Sequence, residues 1–230
     1  MTPTAGVVIP ARDEAHTVGD AVRTARRALR RAGLGWAPVV VVADGCADDT
    51  AAVAAEAGAL VVETRAGCVG AARAAGARAL LSTLGADPAR TWIASTDADT
   101  RVPVRWIERH LDAARAGVHA LAGVVRVGSF SEHPEGARAR FAARYELRSD
   151  GTHPHVHGAN LGVRADAYLA VGGFPALPVA EDHALWRALG EAGFRRQAST
   201  RVWVTTSGRR RGRAPRGFAT TLSQWTGAAG

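Results

Sequence analysis

Thr91-Trp92-Ile93-Ala94-Ser95-Thr96-Asp97-Ala98-Asp99 is the stretch on which the reading of this chain turns. Thr91 to Thr96 reads as a buried strand, with two carboxylates just past its carboxyl end. Placed there two residues apart, Asp97 and Asp99 reach a common point in the cleft beyond the sheet, where open α/β sheets place their ligands. Hard oxygen ligands of this kind suit Mg²⁺ or Mn²⁺, which often bind through one or two carboxylates together with substrate phosphates. Such triplets are also common in surface turns. The weight of this one comes from its company: the strand before it, strand-to-helix turns upstream, and the acidic pair Glu181-Asp182 far downstream.

Upstream, Ala5 to Ile9 reads as a first buried strand, stopped by Pro10. His16 to Arg31 has helical spacing, with Val18, Val22, Ala25 and Leu29 on one face. Pro38 to Ala43 is a β-branched strand, and Asp48 fits the N-cap of the helix after it. Leu60 to Glu63 is a short strand and Val69 to Leu84 an Ala-rich helix. This β-α-β-α rhythm predicts an α/β fold with a mostly parallel central sheet and helices on both faces. Downstream, helices are expected over Pro103 to Ala116, Glu135 to Arg148 (packed through Phe141, Tyr145 and Leu147) and Glu181 to Ala192. Strands are expected over Ala120 to Val127, Gly158 to Val163 and Ser199 to Thr205. The Arg/Gly-rich segment 207–230 reads as a loop or tail.

Composition bounds the function. A chain of 230 residues is long enough for one domain with a sizeable core. With 47% apolar and 22% charged residues it has an ordinary globular make-up. No apolar run approaches the ~18 residues that span a bilayer. The first residues lack the pattern of a signal peptide. Cys46 and Cys68 are too few for a disulfide scaffold, so a cytoplasmic setting is expected. The net charge of +8 comes with no lysine at all. Arginines such as Arg23, Arg27 and Arg30 fit a solvated helix face. The cluster Arg209, Arg210, Arg211, Arg213, Arg216 is denser and interrupted by glycine, and could meet phosphate, an acidic acceptor or an anionic surface. Arginines without interleaved aromatics, and no nucleic-acid fold signature, argue against nucleic acid.

Several segments together resemble glycosyltransferase family 2, with the GT-A fold. Val8-Ile9-Pro10-Ala11-Arg12-Asp13-Glu14 is similar to that family's "V-I-P-A-x-N-E" opening, with Asp13 in place of Asn. Val42-Ala43-Asp44-Gly45-Cys46-Ala47-Asp48-Asp49-Thr50 resembles "V-D-D-G-S-x-D-x-T", with Ala43 and Cys46 as departures. Gly67 to Gly76 resembles "G-x-x-x-A-x-N-x-G". Asp97-Ala98-Asp99 looks like the D-x-D, and Gly172-Gly173-Phe174 with Glu181-Asp182 resembles the "G-G-F…E-D" block. The likeness runs from about Val7 to Val204.

The resemblance implies a metal-dependent transfer of a sugar from a UDP- or GDP-linked donor to an acceptor hydroxyl, with inversion. The nucleotide-sugar half would be residues 1–100 and the acceptor half 101–206. Pro10, Ala11, Glu14, Asp44, Arg73, Asp97 and Ala98 would line the donor site, with Asp99 and Asp97 on Mg²⁺ or Mn²⁺. Asp182 would be the general base and Glu181 would orient the acceptor, beside His157 and Asn160. Plainer readings stand alongside: Asp44 as a turn cap, Arg73 as a solvated helix arginine, Glu181-Asp182 as compensation of a helix dipole. No histidine lies in Thr205 to Arg209 to complete the metal's ligands, and the Q-x-x-R-W block of processive synthases is missing. An inactive nucleotide-sugar-binding protein and a retaining transferase are the alternatives.

Overall fold

The computed structural model describes residues 4–34, 36–213 and 217–227. In chain order the strands are β1 (Thr4–Ala11), β2 (Val39–Asp44), β3 (Leu60–Thr64), β4 (Thr91–Ser95), β5 (Thr100–Arg101), β6 (Ala120–Val127), β7 (Leu161–Arg164) and β8 (Arg196–Thr206). The helices are α1 (Val18–Arg31), α2 (Thr50–Glu56), α3 (Val69–Leu84), α4 (Trp106–Arg115), α5 (Ala137–Arg144), α6 (Ala165–Ala170), α7 (Glu181–Glu191) and α8 (Phe218–Thr226). One sheet carries the strands in the order β3-β2-β1-β4-β7-β6-β8-β5. The pairs β3–β2, β2–β1, β1–β4 and β6–β8 are parallel; those involving β7 or β5 are antiparallel.

Alternation along the strands divides the core into two layers. Val7, Ile9, Val39 and Val41 pack on one face against Val18, Val22, Ala25 and Leu29 of α1 and against Trp106 and Leu111 of α4. Val8, Val40 and Val42 point to the other face, onto Ala72 and Leu80 of α3 and Leu185 and Leu189 of α7. A strand covered on both sides must be apolar at every position, which is why β2 reads as an unbroken valine run. Gly76 lets α3 lie close to the sheet, because a Cβ there would fall 2.5 Å from Val8 Cγ1.

The expected architecture is therefore observed, and α3 and β6 keep their expected bounds. Elsewhere the ends move. α1 begins at Val18 rather than His16, and α4 at Trp106 because Pro103 to Arg105 form a turn, with Trp106 N–H donating to Pro103 O. Thr96 lies outside β4, and β8 extends back to Arg196. The position before α2 is Asp49, although Asp48 does the capping: its Oδ1 accepts from Thr50 N at 3.0 Å. α5 covers only Ala137–Arg144. The chain turns extended at Tyr145, which sends its phenol under β6 to accept from Val125 N at 3.0 Å. Leu147, expected in the core, is 54% exposed. β5, α6 and α8 have no counterpart among the elements expected from the sequence. Within the expected loop or tail, the described residues 217–227 carry α8, which packs Leu222, fully buried, with Phe218 and Trp225 around Phe141 of α5.

Candidate functional site

The parallel strands end at a cavity of about 650 Å³. Pro10, Ala11 and Glu14 form one wall, from the turn between β1 and α1, with Asp44 at the end of β2. Its floor is Asp97, Ala98 and Asp99, beyond β4, with Arg73 from α3. The opposite wall is built from His155 to Ala159, Val179 to His183, and Phe218 and Trp225 of α8. Segment 206–213 closes a side with Arg209 and Arg213.

Arg73 is the centre of this arrangement. It is 4% exposed, and its Nε donates to Ser95 Oγ at 3.1 Å. Nη2 donates to Asp97 Oδ1 at 2.5 Å and Nη1 to Glu181 Oε1. The guanidinium lies against Gly158, where a Cβ would stand 2.4 Å from Arg73 Cζ. The solvated-helix reading is thus excluded, since the side chain fastens the Asp97 turn to the first residue of α7. Glu181 is itself 3% exposed and committed to this pair. Asp182 is partly exposed to the cavity; its Oδ2 accepts from Gly158 N at 2.7 Å and its Oδ1 from His183 N at 2.8 Å. Ala180, just before, has φ of 60°, a strained value for a residue with a Cβ.

Asp44 is almost buried and holds the loop between β3 and α3. Oδ1 accepts from Thr64 Oγ1 at 2.9 Å, Ala66 N at 2.6 Å and Gly67 N at 3.2 Å, and Oδ2 from Cys68 N at 3.2 Å. Glu14 accepts from Thr17 Oγ1 at 3.0 Å and, through both oxygens, from Arg209. Arg209 Nη2 is also 3.0 Å from Asp99 Oδ2. Burial pushes Asp99 up to about 6; Arg209 pulls it down, while Asp97 and Glu14 add to the rise.

Two expectations about the acceptor wall part company. His157 lines the cavity, and its Nε2 meets the hydroxyl of Tyr145 at 2.9 Å. That hydroxyl also accepts from Val125 N–H at 3.0 Å, which holds it in place beside the ring. Loss of solvent depresses His157 to about 3, so the ring is neutral. Asn160 does not reach the cavity. It is fully buried, accepts from Trp106 Nε1 at 2.8 Å and donates to Val124 O and Val202 O. Those carbonyls flank the register shift between β6 and β8 at Gly123 and Val124. Asn160 satisfies backbone groups that an irregular ladder leaves unpaired, so its expected contact with an acceptor is corrected to a structural one. The histidines at 153, 155 and 157 form one stack. His155 and His157 stack with Tyr145 and His153 with His155, and the three rings bond to Ala122 O, Glu146 O and the Tyr145 hydroxyl in chain order.

The chemistry of the donor set fits a divalent ion at Asp97 and Asp99. Among the described residues Glu14, Asp97, Asp99 and Glu181 meet the guanidinia of Arg73 and Arg209, with Arg213 Nε at 3.9 Å from Glu14, so four carboxylates face three guanidinia. A guanidinium already stands at Asp99 as a cation. Among the described residues, the one group of three metal-ligating side chains within 4.8 Å is Asp13, Cys46 and Asp48. There the carboxylates are spent on Ala47 N and Ala15 N, clamping two turns together. Arg216, the last of the C-terminal cluster, lies outside the described residues.

The parallel strands of an open sheet thus end at an acid-lined cavity with a carboxylate pair past β4, the place where open α/β sheets bind their ligands. The chain belongs to glycosyl transferase family 2, whose sequence model matches residues 6–172. Among solved structures it is similar to a mannosyltransferase from Pyrobaculum calidifontis, PcManGT, in complex with GDP-Man and Mn²⁺. Identity is 21% and the TM-score 0.64 over 92% of this chain and 59% of that one. It is also similar to TarS of S. aureus, residues 1–349, in complex with UDP-GlcNAc, at 14% identity and TM-score 0.63 over 91% and 59% of the two chains. A mycobacterial protein aligns at 20% identity and TM-score 0.57, over 89% and 65%. The chain thus spans about three fifths of the first two structures' length. No curated protein matches it.

Proposed function

We propose that this protein transfers a sugar from a UDP- or GDP-linked donor to an acceptor hydroxyl with inversion. The observation that carries the reading is the cavity itself, in which the Asp97–Asp99 floor faces Asp182 and one arginine ties both sides together. The nucleotide would lie along Pro10, Ala11 and Glu14 near Asp44, with its diphosphate towards Asp99 and Arg209. Asp97 and Asp99 would hold a divalent ion, Mn²⁺ or Mg²⁺, which when bound offsets charge on the departing diphosphate. Asp182 is the base. Its oxygens are oriented by Gly158 and His183 amides and each keeps a lone pair for the acceptor hydroxyl proton. The acceptor oxygen bonds to the anomeric carbon as the bond to the diphosphate breaks, and the proton passes to Asp182. Glu181 acts through Arg73 by fixing that geometry. His157, neutral and next to Asp182, would border the acceptor.

A thermal-shift panel of UDP-, GDP-, dTDP- and ADP-sugars, with and without Mn²⁺, tests the donor, since ligands of the folded state raise its apparent stability. A metal-dependent rise with UDP- or GDP-sugars is expected. The anomeric NMR signal of the product reads the stereochemistry. No shift with any donor would remove the nucleotide-sugar reading, and a product with the donor's own configuration would remove inversion.

A further inference from the structure

Arg209 stands where a cation belongs. Its guanidinium grips both oxygens of Glu14, at 3.0 and 2.5 Å, and reaches Asp99 Oδ2 at 3.0 Å, joining residues almost 200 positions apart in the chain. Both carboxylate side chains are nearly out of solvent, at 7% and 12% exposed, whereas the arginine keeps 24% exposed to the cavity. The segment around it has anchors of its own: Ser207 N donates to Asp99 O at 3.2 Å, and the Arg213 side chain donates through Nη2 to Asp13 O at 2.8 Å, with Nε 3.9 Å from Glu14 Oε1. The guanidinium can therefore change partners without moving the segment that bears it.

Resting on the nucleotide-sugar reading, we propose that Arg209 competes with the divalent ion for Asp99 and moves onto the diphosphate when ion and donor enter together. Two cations cannot both sit on Asp99 Oδ2 without strong repulsion. An ion arriving alone evicts Arg209 from Asp99 and offers it nothing in return. An ion arriving with a diphosphate gives each cation an anion, because a guanidinium binds phosphate oxygens as a fork. The site therefore favours the pair over either component, and by linkage each component tightens the other by the same factor. Arg209 is thus a donor-binding residue that makes the ion conditional on the donor.

Mn²⁺ binding, read from the EPR signal of free Mn²⁺ with and without GDP or UDP, tests this without any turnover. The wild-type protein should bind Mn²⁺ weakly alone and tightly with the nucleotide. Arg209→Gln should bind Mn²⁺ alone on the order of tenfold more tightly, and the nucleotide's effect on that affinity should shrink by a similar factor, within the usual range of coupling between sites. Arg209→Lys keeps the charge without the fork. It should exclude Mn²⁺ as the wild type does yet lose much of the coupling, and it serves if the glutamine variant does not fold. Equal Mn²⁺ affinity without nucleotide in wild type and the Gln variant, or a Lys variant that binds Mn²⁺ alone as tightly as the Gln variant, overturns the competition while leaving the donor site intact; unchanged coupling in the Lys variant overturns the move of the fork onto the diphosphate. Wild-type protein that binds neither GDP nor UDP with Mn²⁺ overturns the underlying reading and the competition with it.

Discussion

Replacing Arg73 by methionine keeps most of the side chain's volume and removes its charge. The guanidinium is 4% exposed and bonds to Ser95, Asp97 and Glu181. Asp97 is 35% exposed at its side chain and can turn to water, so its loss is small. Glu181 cannot, at 3% exposed, and is left as a buried carboxylate without its cation. Removing one partner of such a pair costs about 3–5 kcal/mol. For a domain of this size each kcal/mol is ~2–4 °C in Tm, so Arg73→Met should melt roughly 6–20 °C lower. Adding Glu181→Gln removes the stranded charge and should recover most of the loss, since a buried pair replaced on both sides can be nearly neutral. Urea unfolding of the wild type, both single variants and the double variant measures the coupling directly. A fall below ~2 °C for Arg73→Met, or a double variant no more stable than that single one, would refute the view that this arginine is a buried fastening.

Asp182→Asn cannot take a proton at neutral pH, so kcat should drop ~10²–10⁴-fold while donor affinity stays near normal; wild-type turnover would defeat the base assignment. Asp99 titrates at about 6 in the fold against an ordinary 3.8. Between those values the folded state holds a proton that the unfolded chain has lost, so stability from this group falls as pH rises, by ~3 kcal/mol once above 6. Asp99→Asn should therefore melt higher than wild type at pH 8 but not at pH 3.5, while losing Mn²⁺ binding; a difference independent of pH would refute this. Leu222, fully buried beneath α8, should cost about 2–5 kcal/mol when changed to alanine and should weaken donor-dependent thermal shifts through the collapsed cavity wall. An unaltered melting curve would show that α8 contributes nothing to the fold.

The half of the fold that was legible in the sequence is the half whose strands are buried on both faces. β1, β2 and β4 carry apolar runs at their centres, Val7 to Ile9, Val39 to Ala43 and Trp92 to Ala94, while α1 shows clean spacing and α3 is rich in alanine. β5, with two residues, offers no period to read. α8 did leave a signal, Phe218, Leu222 and Trp225 at helical intervals, masked by threonines and by the glycines and arginines before it. The candidate site was legible as a set of positions: Pro10, Ala11, Glu14, Asp44, Arg73, Asp97, Ala98, Asp99, His157, Glu181 and Asp182 all line the cavity. What each one touches was not. Whether Arg73 faces solvent or Glu181 depends on a partner 108 residues away, and Arg209 meets Glu14 across 195. Asn160 looked like a ligand residue because nothing local announces the irregular ladder between β6 and β8 that uses its amide.

The fastening at Arg73 has a consequence for anyone recombining such domains. A chimera cut near residue 100 treats donor and acceptor halves as interchangeable cassettes. Here the first half would bring the arginine and the second half its glutamate, along with the glycine at 158 on which the guanidinium lies. A foreign second half lacking either would strand a charge or block its seat, and the hybrid would misfold whatever acceptor it was chosen for. Compatible parents can be screened first by those three positions, together with the Arg209 partners Glu14 and Asp99, before any acceptor is known.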